Sequence, residues 1–400
     1  FGSLESSDKD LIPDAVFSKA GIEYKVSRAT EIDAKKKLCR TEDGEEISYD
    51  KLVLATGSKP RVPSWLPGTD LENVFTIPKN KEILDRTLAK LQGCKKIVTI
   101  GGGFIGVEVS DELNKLGKDV TIVEVLPHVL GLAFDPEIAE QAGELLVKRG
   151  VKLRTGVGAA KILGNGSVTG VELINGEKIE ADAVILSMGY DPNTDLARKA
   201  GLSLNSNGCI RVDEYMRTET PGIFAVGDCA EKRDFVTRKL TRVMLASTAS
   251  SEARVAGTNL YQLSVVKTFS GTISIFATAI GDTGFGVAGL TEAAAKKEGF
   301  NITIGTFSGV DRHPGTLPGT HSQYVKLIVG KTSGVILGGE VVAGTSTGEL
   351  TNFIGLAIQA KIPISALFAA QIGTHPLLTA PPTAYPVIKA AESIMRGCGR

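Results

Sequence analysis

Lys96-Ile97-Val98-Thr99-Ile100-Gly101-Gly102-Gly103-Phe104-Ile105-Gly106 decides how the rest of the chain is read. Its first five residues are a short apolar run, suited to a strand buried on both faces of a parallel sheet. The glycines that follow match G-x-G-x-x-G. Beyond them Ile105, Val109, Leu113 and Leu116 recur at spacings that line one face of a helix, and Gly117 is placed to end it as a C-cap. A second strand, Val120-Thr121-Ile122-Val123, ends at Glu124, 23 positions after Gly101. Alone the glycine pattern is a weak signal. A strand before it, a helix after it and an acid at the next strand end supply the context of a dinucleotide-binding βαβ unit. Gly101 then permits the tight turn, Gly103 lets backbone approach a pyrophosphate, and Gly106 lets helix and strand pack closely. The pyrophosphate would rest on the helix N-terminus, at the free N–H groups of the turn from Gly103 through Phe104 and Ile105.

Glu124 is expected to accept hydrogen bonds from the adenosine ribose, and its charge would repel a 2′-phosphate. No Arg or Lys occurs between Glu124 and Lys148 to bind such a phosphate, and His128 is the only nearby candidate cation. NAD(H) is therefore expected over NADP(H).

Working outward, the segment Asp43 to Pro60 repeats as Asn175 to Pro192. Gly44 pairs with Gly176, Asp50 with Asp182, Leu54 with Leu186, Gly57 with Gly189 and Pro60 with Pro192, every pair separated by 132 positions without a gap. Asp-Gly and Asn-Gly are hairpin turns that need positive φ, and each copy then runs into an apolar strand ending at glycine. A duplicated nucleotide-binding domain is the expectation. Further on, Gly222-Ile223-Phe224-Ala225-Val226 reads as a strand leading into Gly227-Asp228, followed by a small-residue helix from Ala246 to Leu260. The remainder has β-rich runs (Thr272 to Ala277, Tyr324 to Val329, Val335 to Val342), then helices and a Pro-rich stretch at Pro381-Pro382, and reads as an α+β domain.

Composition agrees with a globular protein of two or three domains: 400 residues, 42% hydrophobic, 22% charged. Basic and acidic side chains balance at 45 each, so no basic field recruits nucleic acid. Apolar runs such as Phe353 to Ile358 are far shorter than the roughly 18 residues of a spanning helix. The 5 cysteines (Cys39, Cys94, Cys209, Cys229, Cys398) are an odd number without a CxxC pair, which argues against a disulfide framework or a structural zinc site. His313 and His321 lie in a Gly/Pro loop without metal-ligand spacing, so no metal is expected. The chain reads as cytoplasmic.

Four motifs in order, Ala55-Thr56-Gly57-Ser58, Gly101 to Gly106, Ser187 to Pro192 and Thr220 to Asp228, resemble those of the flavin-dependent pyridine nucleotide–disulfide oxidoreductases. Within them the chain is most similar to the NADH oxidase, NADH peroxidase and coenzyme A-disulfide reductase branch, over nearly its whole length. That resemblance implies two Rossmann-like nucleotide-binding domains of α/β class, one for FAD and one for NAD, followed by an α+β dimerisation domain. The expected boundaries are 1–72 with 191–263 for FAD, 73–190 for NAD and 264–400 for the homodimer-forming domain. It also implies that Ala55, Thr56 and Gly57 lie near FAD, that Gly227-Asp228 meets the flavin's ribitol or phosphate region, and that Gly189 lies by the nicotinamide. Asp228 could equally be a helix N-cap, and both roles are compatible.

The repeat carries a further expectation. Counting back from Gly44 as Gly101 stands before Gly176 puts a first glycine fingerprint roughly thirty residues before Phe1, in a segment of the same protein or another chain. In the family the redox-active cysteine belongs to that stretch, and none of the five cysteines here takes its place. Buried, inert thiols are the ordinary expectation for them. His375, in Thr374-His375-Pro376, matches a His-Pro whose histidine, in the glutathione-reductase-like branch, serves the partner's flavin site. The glutamate that follows in that branch is replaced here by Leu378-Thr379-Ala380-Pro381, which weakens the case for acid–base catalysis by His375.

The function expected is hydride transfer from NADH to FAD and on to a disulfide, persulfide, peroxide, oxygen or protein carrier. Alternatives are a cysteine-free reductase of a ferredoxin- or rubredoxin-type carrier, and a non-catalytic nucleotide-binding subunit. An intact fingerprint with Glu124 and Asp228 argues against the last.

Overall fold

A computed structural model describes residues 12–263 and 269–397. The fingerprint strand Lys96–Ile100 is central in a five-stranded parallel sheet. Across that sheet the order is Val74–Thr76, Ala183–Leu186, Lys96–Ile100, Asp119–Glu124 and Lys152–Thr155. Ile97, Val98, Val120, Ile122, Val184 and Ile185 are each at most 1% exposed. Burial on both faces explains why these strands read as unbroken apolar runs, not as alternating ones.

The fingerprint helix spans Phe104–Lys115 and closes through Leu116 on Gly117 at φ 78°, with the Lys118 N–H returning to the Leu113 carbonyl. Its buried face differs from the expected stripe. Val107, Ser110 and Asp111 are buried along with Val109 and Leu113, whereas Leu116 is 49% exposed. The helix is covered from a second side: Thr278 Oγ1 donates to Glu108, the Gly281 N–H points to Asp111, and Phe276 stacks on Phe104. A stripe spaced for one partner cannot announce a second that lies so far along the chain.

The repeat is present in the backbone. In the first copy Leu38 pairs with Ser48, Cys39 with Ile47 and Arg40 with Glu46. In the second, Gly170 pairs with Glu180, Val171 with Ile179 and Glu172 with Lys178, the same register displaced by 132 positions. Gly44 and Gly176 hold the two turns at φ 84° and 85°, where only glycine is unstrained. The closing strands differ in company. Leu52–Leu54 pairs with Ile223–Ala225 in a two-stranded parallel sheet, while Ala183–Leu186 sits inside the five-stranded one.

By their contacts the described residues fall into two compact units. One comprises those within Phe1–Lys59, Tyr190–Lys232 and Arg242–Ser270; the other, those within Pro60–Gly189, Arg233–Thr241 and Gly271–Arg400. Ile32, Leu54, Ile210, Ile223 and Ala225 form the core of the first. In the second, the parallel sheet and the fingerprint helix share a core with Ile280, Phe285 and Val287 of the C-terminal region. That region is an antiparallel sheet of Phe276–Ile280, Thr283–Gly289, Ile336–Ala343, Ser322–Gly330 and Ile302–Val310. Helices Thr347–Gln359 and Pro386–Gly397 pack on it through Leu350, Ile354, Val387 and Ile394. The strand expected from Thr272 begins at Phe276, and the small-residue helix ends at Thr258.

Candidate functional site

The second unit carries the fingerprint turn. Gly101 adopts φ 106°, and a Cβ there would lie 2.6 Å from the Ser187 carbonyl oxygen. A Cβ at Gly106 would lie 1.9 Å from the Gly101 carbonyl oxygen, so helix and strand meet as closely as backbone allows. Gly103 is different in kind: nothing lies within 4 Å of a Cβ built on it, and it precedes a twelve-residue helix that no side chain caps. The approach to the helix N-terminus is open at the one glycine through which a pyrophosphate would come. These residues fit a dinucleotide.

Ser187 and Glu124 hold this turn. The Ser187 hydroxyl donates to the Gly101 carbonyl at 2.6 Å and lies 3.1 Å from that of Ile100, tying the Ser187-Met188-Gly189 motif to the fingerprint. Glu124 Oε2 accepts the Gly102 N–H at 2.6 Å, and Oε1 accepts the Leu126 N–H at 2.8 Å. The Gly102 carbonyl in turn receives the Leu130 N–H at 2.7 Å. The carboxylate is thereby fixed beside the turn, with lone pairs left for ribose hydroxyls. Phe104 stacks on Phe276 with centroids 5.0 Å apart and meets the edge of Phe134 at 6.0 Å, while Ile105 packs partly buried on the same core. Gly189, at φ 87°, accepts the Arg61 N–H through its carbonyl.

In the first unit the other two motifs meet. Thr56 Oγ1 donates to the Asn193 carbonyl at 2.5 Å, the Asn193 amide returns a bond to the Thr56 carbonyl at 2.9 Å, and the Asn193 N–H reaches the Gly57 carbonyl at 2.9 Å. Ala55 and Thr56 are exposed, and a Cβ at Gly57 would meet nothing within 4 Å. Asp228 is 7% exposed in the 3-10 turn Gly227–Cys229 and accepts the Ser58 hydroxyl at 2.7 Å. A turn with open backbone, a hydroxyl and a fixed carboxylate is a donor and acceptor set that suits the ribitol–phosphate part of a flavin nucleotide. Asp228 sits in the middle of that short 3-10 segment. Ser58 and Ser187 each fall within a motif, yet their linking roles show only in the fold.

His375 is exposed. Its Nδ1 accepts the Leu377 N–H at 3.2 Å, and among the described residues no carboxylate hydrogen-bonds to its ring. Cys94, Cys209 and Cys229 are buried and Cys39 is half-buried, all as free thiols, while Cys398 lies outside the described residues. Burial pushes the thiols of Cys39, Cys94 and Cys209 up, away from the thiolate form.

Two charged clusters escaped the sequence reading. Lys232 and Glu252 are buried behind the Asp228 turn. In the second unit Lys326 is buried among Asp135 and Glu292, both at 2.9 Å, Glu137, and Glu340 at 3.7 Å. The only hint was a lone Lys and a lone Glu inside the apolar runs Tyr324 to Val329 and Val335 to Val342. In the sheet these two face each other in register.

Fold and site together define a reductase that handles two nucleotides on duplicated nucleotide-binding domains. Residues 6–253 match the pyridine nucleotide-disulphide oxidoreductase family, and residues 275–385 match its dimerisation domain. The chain belongs to that family: it is an oxidoreductase working with FAD and a nicotinamide nucleotide. It is 33% identical over 366 residues to an NADH oxidase of Methanocaldococcus jannaschii, covering 90% of this chain and 79% of the relative. It is 32% identical over 345 residues to an NAD(P)H coenzyme A polysulfide/persulfide reductase of Pyrococcus horikoshii, covering 85% and 76%. Among solved structures it resembles an NAD-dependent persulfide reductase from A. fulgidus, with TM-score 0.88, 31% identity and coverage of 96% and 71%. A water-forming NADH oxidase from Lactobacillus brevis gives TM-score 0.84, 28% identity and coverage of 93% and 82%. No helix among the described residues is long and apolar enough to cross a membrane.

Proposed function

We propose that the chain oxidises NADH and delivers the electrons to a small oxidised acceptor, either dioxygen or a sulfane-sulfur compound such as a persulfide. The observation that carries the choice of reductant is the Glu124 carboxylate, fixed by the Gly102 and Leu126 N–H groups beside the open fingerprint turn. A 2′-phosphate brought there meets a like charge at short range, whereas a 2′-hydroxyl can donate to it. The acceptor class follows the names of the relatives, which divide between NADH oxidases and persulfide reductases. The four described thiols are free, in keeping with a reducing compartment such as the cytoplasm.

Bound FAD supplies the redox chemistry: hydride uptake from NADH and electron release to the acceptor. The protein's share is placement. In this reading Gly101, Gly103 and Gly106 let the helix start meet the pyrophosphate, with the N–H groups of Phe104 and Ile105 aimed at it, and Glu124 takes the adenosine ribose. Thr56, Gly57 and Asp228 hold the flavin nucleotide, with Ala55 and Gly227 allowing its close approach, and Gly189 lines the nicotinamide side. His375 lines the acceptor side without an acid–base role of its own.

Anaerobic titration of the FAD-loaded protein with NADH should bleach the flavin band stoichiometrically. Mixing the reduced protein with air-saturated buffer, then separately with polysulfide, should restore the band at turnover rates with one of them. Restoration by ferredoxin or rubredoxin alone would reject the small-molecule reading in favour of a protein carrier. Asp228→Ala should lose FAD on dilution, an acceptor contributing roughly 1.5–3 kcal/mol, while Gly103→Ala should keep it.

A further inference from the structure

Behind the turn that bears Asp228 lies an ion pair sealed from water. The side chains of Lys232 and Glu252 are 2% and 0% exposed. Such a pair is a poor stabiliser, because desolvating both charges offsets their attraction and an apolar pair of similar volume does as well or better. Its partners point to another task. Glu252 Oε2 accepts the Gly227 N–H at 2.7 Å. Lys232 Nζ donates to the Gly227 carbonyl and, at 3.1 Å, to that of Ala230. The ammonium lies 3.4 Å from Glu252 Oε1, an oxygen with no hydrogen-bond partner. One residue thus has its N–H held by a negative charge and its carbonyl by a positive one. Gly227 stands at φ 73°, and Asp228 follows it directly in the same 3-10 turn.

We propose that Lys232 and Glu252 are positioning residues for the flavin nucleotide: by gripping Gly227 at both polar ends they fix the direction in which Asp228 presents its carboxylate. The inference rests on the reading of Asp228 as an FAD ligand and adds two residues that never touch the cofactor. The charged groups facing Glu252 are Lys232 and Asp228, together with the Gly227 N–H dipole. Burial pushes the Glu252 carboxyl up to about 7, with Lys232 and Gly227 pulling it down and Asp228 pushing it up. The grip on Gly227 therefore changes charge state across the neutral range. The ionised carboxylate is the stronger acceptor for the Gly227 N–H.

The test strips FAD reversibly from the full chain and measures its rebinding by flavin fluorescence at pH 6, 7 and 8, with visible circular dichroism of the bound flavin. The parent should bind FAD more weakly as pH falls from 8 to 6, and Glu252→Gln should flatten that profile. Single removal of one charge can harm folding, so the decisive variant is Lys232→Met with Glu252→Leu, which removes both charges together. It should fold, bind FAD about tenfold more weakly than the parent at pH 8, and show an altered flavin dichroism. Adding Asp228→Asn to that double variant should weaken binding no further than Asp228→Asn does alone, because the pair acts through Asp228. If the double variant binds FAD with parental affinity and dichroism while Asp228→Asn weakens it, the positioning role is wrong and the ligand role stands. If Asp228→Asn itself leaves FAD binding unchanged, the underlying reading of Asp228 fails, and the positioning role with it.

Discussion

Two glycines of one motif carry opposite demands. Gly106 has no room for a methyl group, since its Cβ would fall 1.9 Å from the Gly101 carbonyl oxygen. Gly106→Ala should push the fingerprint helix off its strand and lower unfolding stability by about 1–3 kcal/mol, measured by urea titration. Gly103 has open space and an ordinary φ of −74°. Gly103→Ala should leave the urea midpoint in place yet weaken NADH binding at least tenfold, about 1.4 kcal/mol, because the new methyl group occupies the pyrophosphate's approach. Unchanged NADH affinity would mean that the nucleotide does not use this turn. At Glu124 the expectation concerns selectivity. NADH should be used at least tenfold more efficiently than NADPH, again about 1.4 kcal/mol, and Glu124→Gln should narrow the gap by removing the charge while keeping an acceptor. Steady-state kinetics with both nucleotides decide it; equal efficiencies in the parent reject the assignment.

At the scale of elements, the helix Pro136–Arg149 is fastened at its start to the C-terminal sheet. Asp135 sits at its N-cap position but caps a different helix, accepting the Glu292 and Ala293 N–H groups at 2.8 and 3.0 Å. Glu340, from the strand Ile336–Ala343, accepts the Asp135 N–H at 2.7 Å. Burial, then the negative charge of Asp135, pushes the Glu340 carboxyl up to about 8. Burial alone would lower the Lys326 pKa, but Glu137, Asp135 and Glu292 outweigh it and hold the ammonium above the ordinary lysine value. The consequence for pH has a definite sign. A carboxyl raised from 4.5 to about 8 binds its proton more tightly in the folded chain than in the unfolded one. Stability contributed by that proton is complete below the unfolded value and is lost as pH rises to about 8. The urea midpoint of the second unit should therefore fall between pH 5 and 8, and Glu340→Gln, which mimics the protonated form, should remove much of the slope. A parent profile that rises over this interval would reject the protonated Glu340.

How much of this was legible beforehand depends on how local the signal is. Gly101, Gly103, Gly106 and Glu124 announce themselves because turn, helix start and strand end lie within one stretch of chain. The duplication was visible because the hairpin turn needs glycine at the same place in both copies. Lys326 and Glu340 were invisible as a pair: strand register brings them together, and a single charge in an apolar run reads as a solvent-facing interruption. Lys232 and Glu252 failed for a related reason: one lies in a two-residue strand and the other in the helix Ala246–Thr258, with no period joining them.

For the molecule as a whole, the match of residues 275–385 to a dimerisation domain predicts a particle of twice the chain mass in light scattering. Leu356, Leu377 and Leu378 leave apolar area in water at 63%, 52% and 74% exposure within this region. Leu378→Asp should shift the particle toward the mass of one chain without altering the fold. An unchanged mass would take Leu378 out of the contact.

The contrast between the closing strands has a consequence in time. Ala183–Leu186 exchanges hydrogen bonds with a neighbour on each side, and all its residues are buried. Leu52–Leu54 has one strand neighbour among the described residues, with Val53 40% exposed. Two copies of one design should therefore keep different clocks for deuterium uptake. Amides of Ile97 to Ile100 and Ala183 to Leu186 would label only when their unit opens globally, whereas those of Leu52 to Leu54 would label through smaller local openings. Added FAD should slow the fast clock and leave the slow one nearly untouched, so the isotope pattern would show, peptide by peptide, which copy depends on its nucleotide for rigidity.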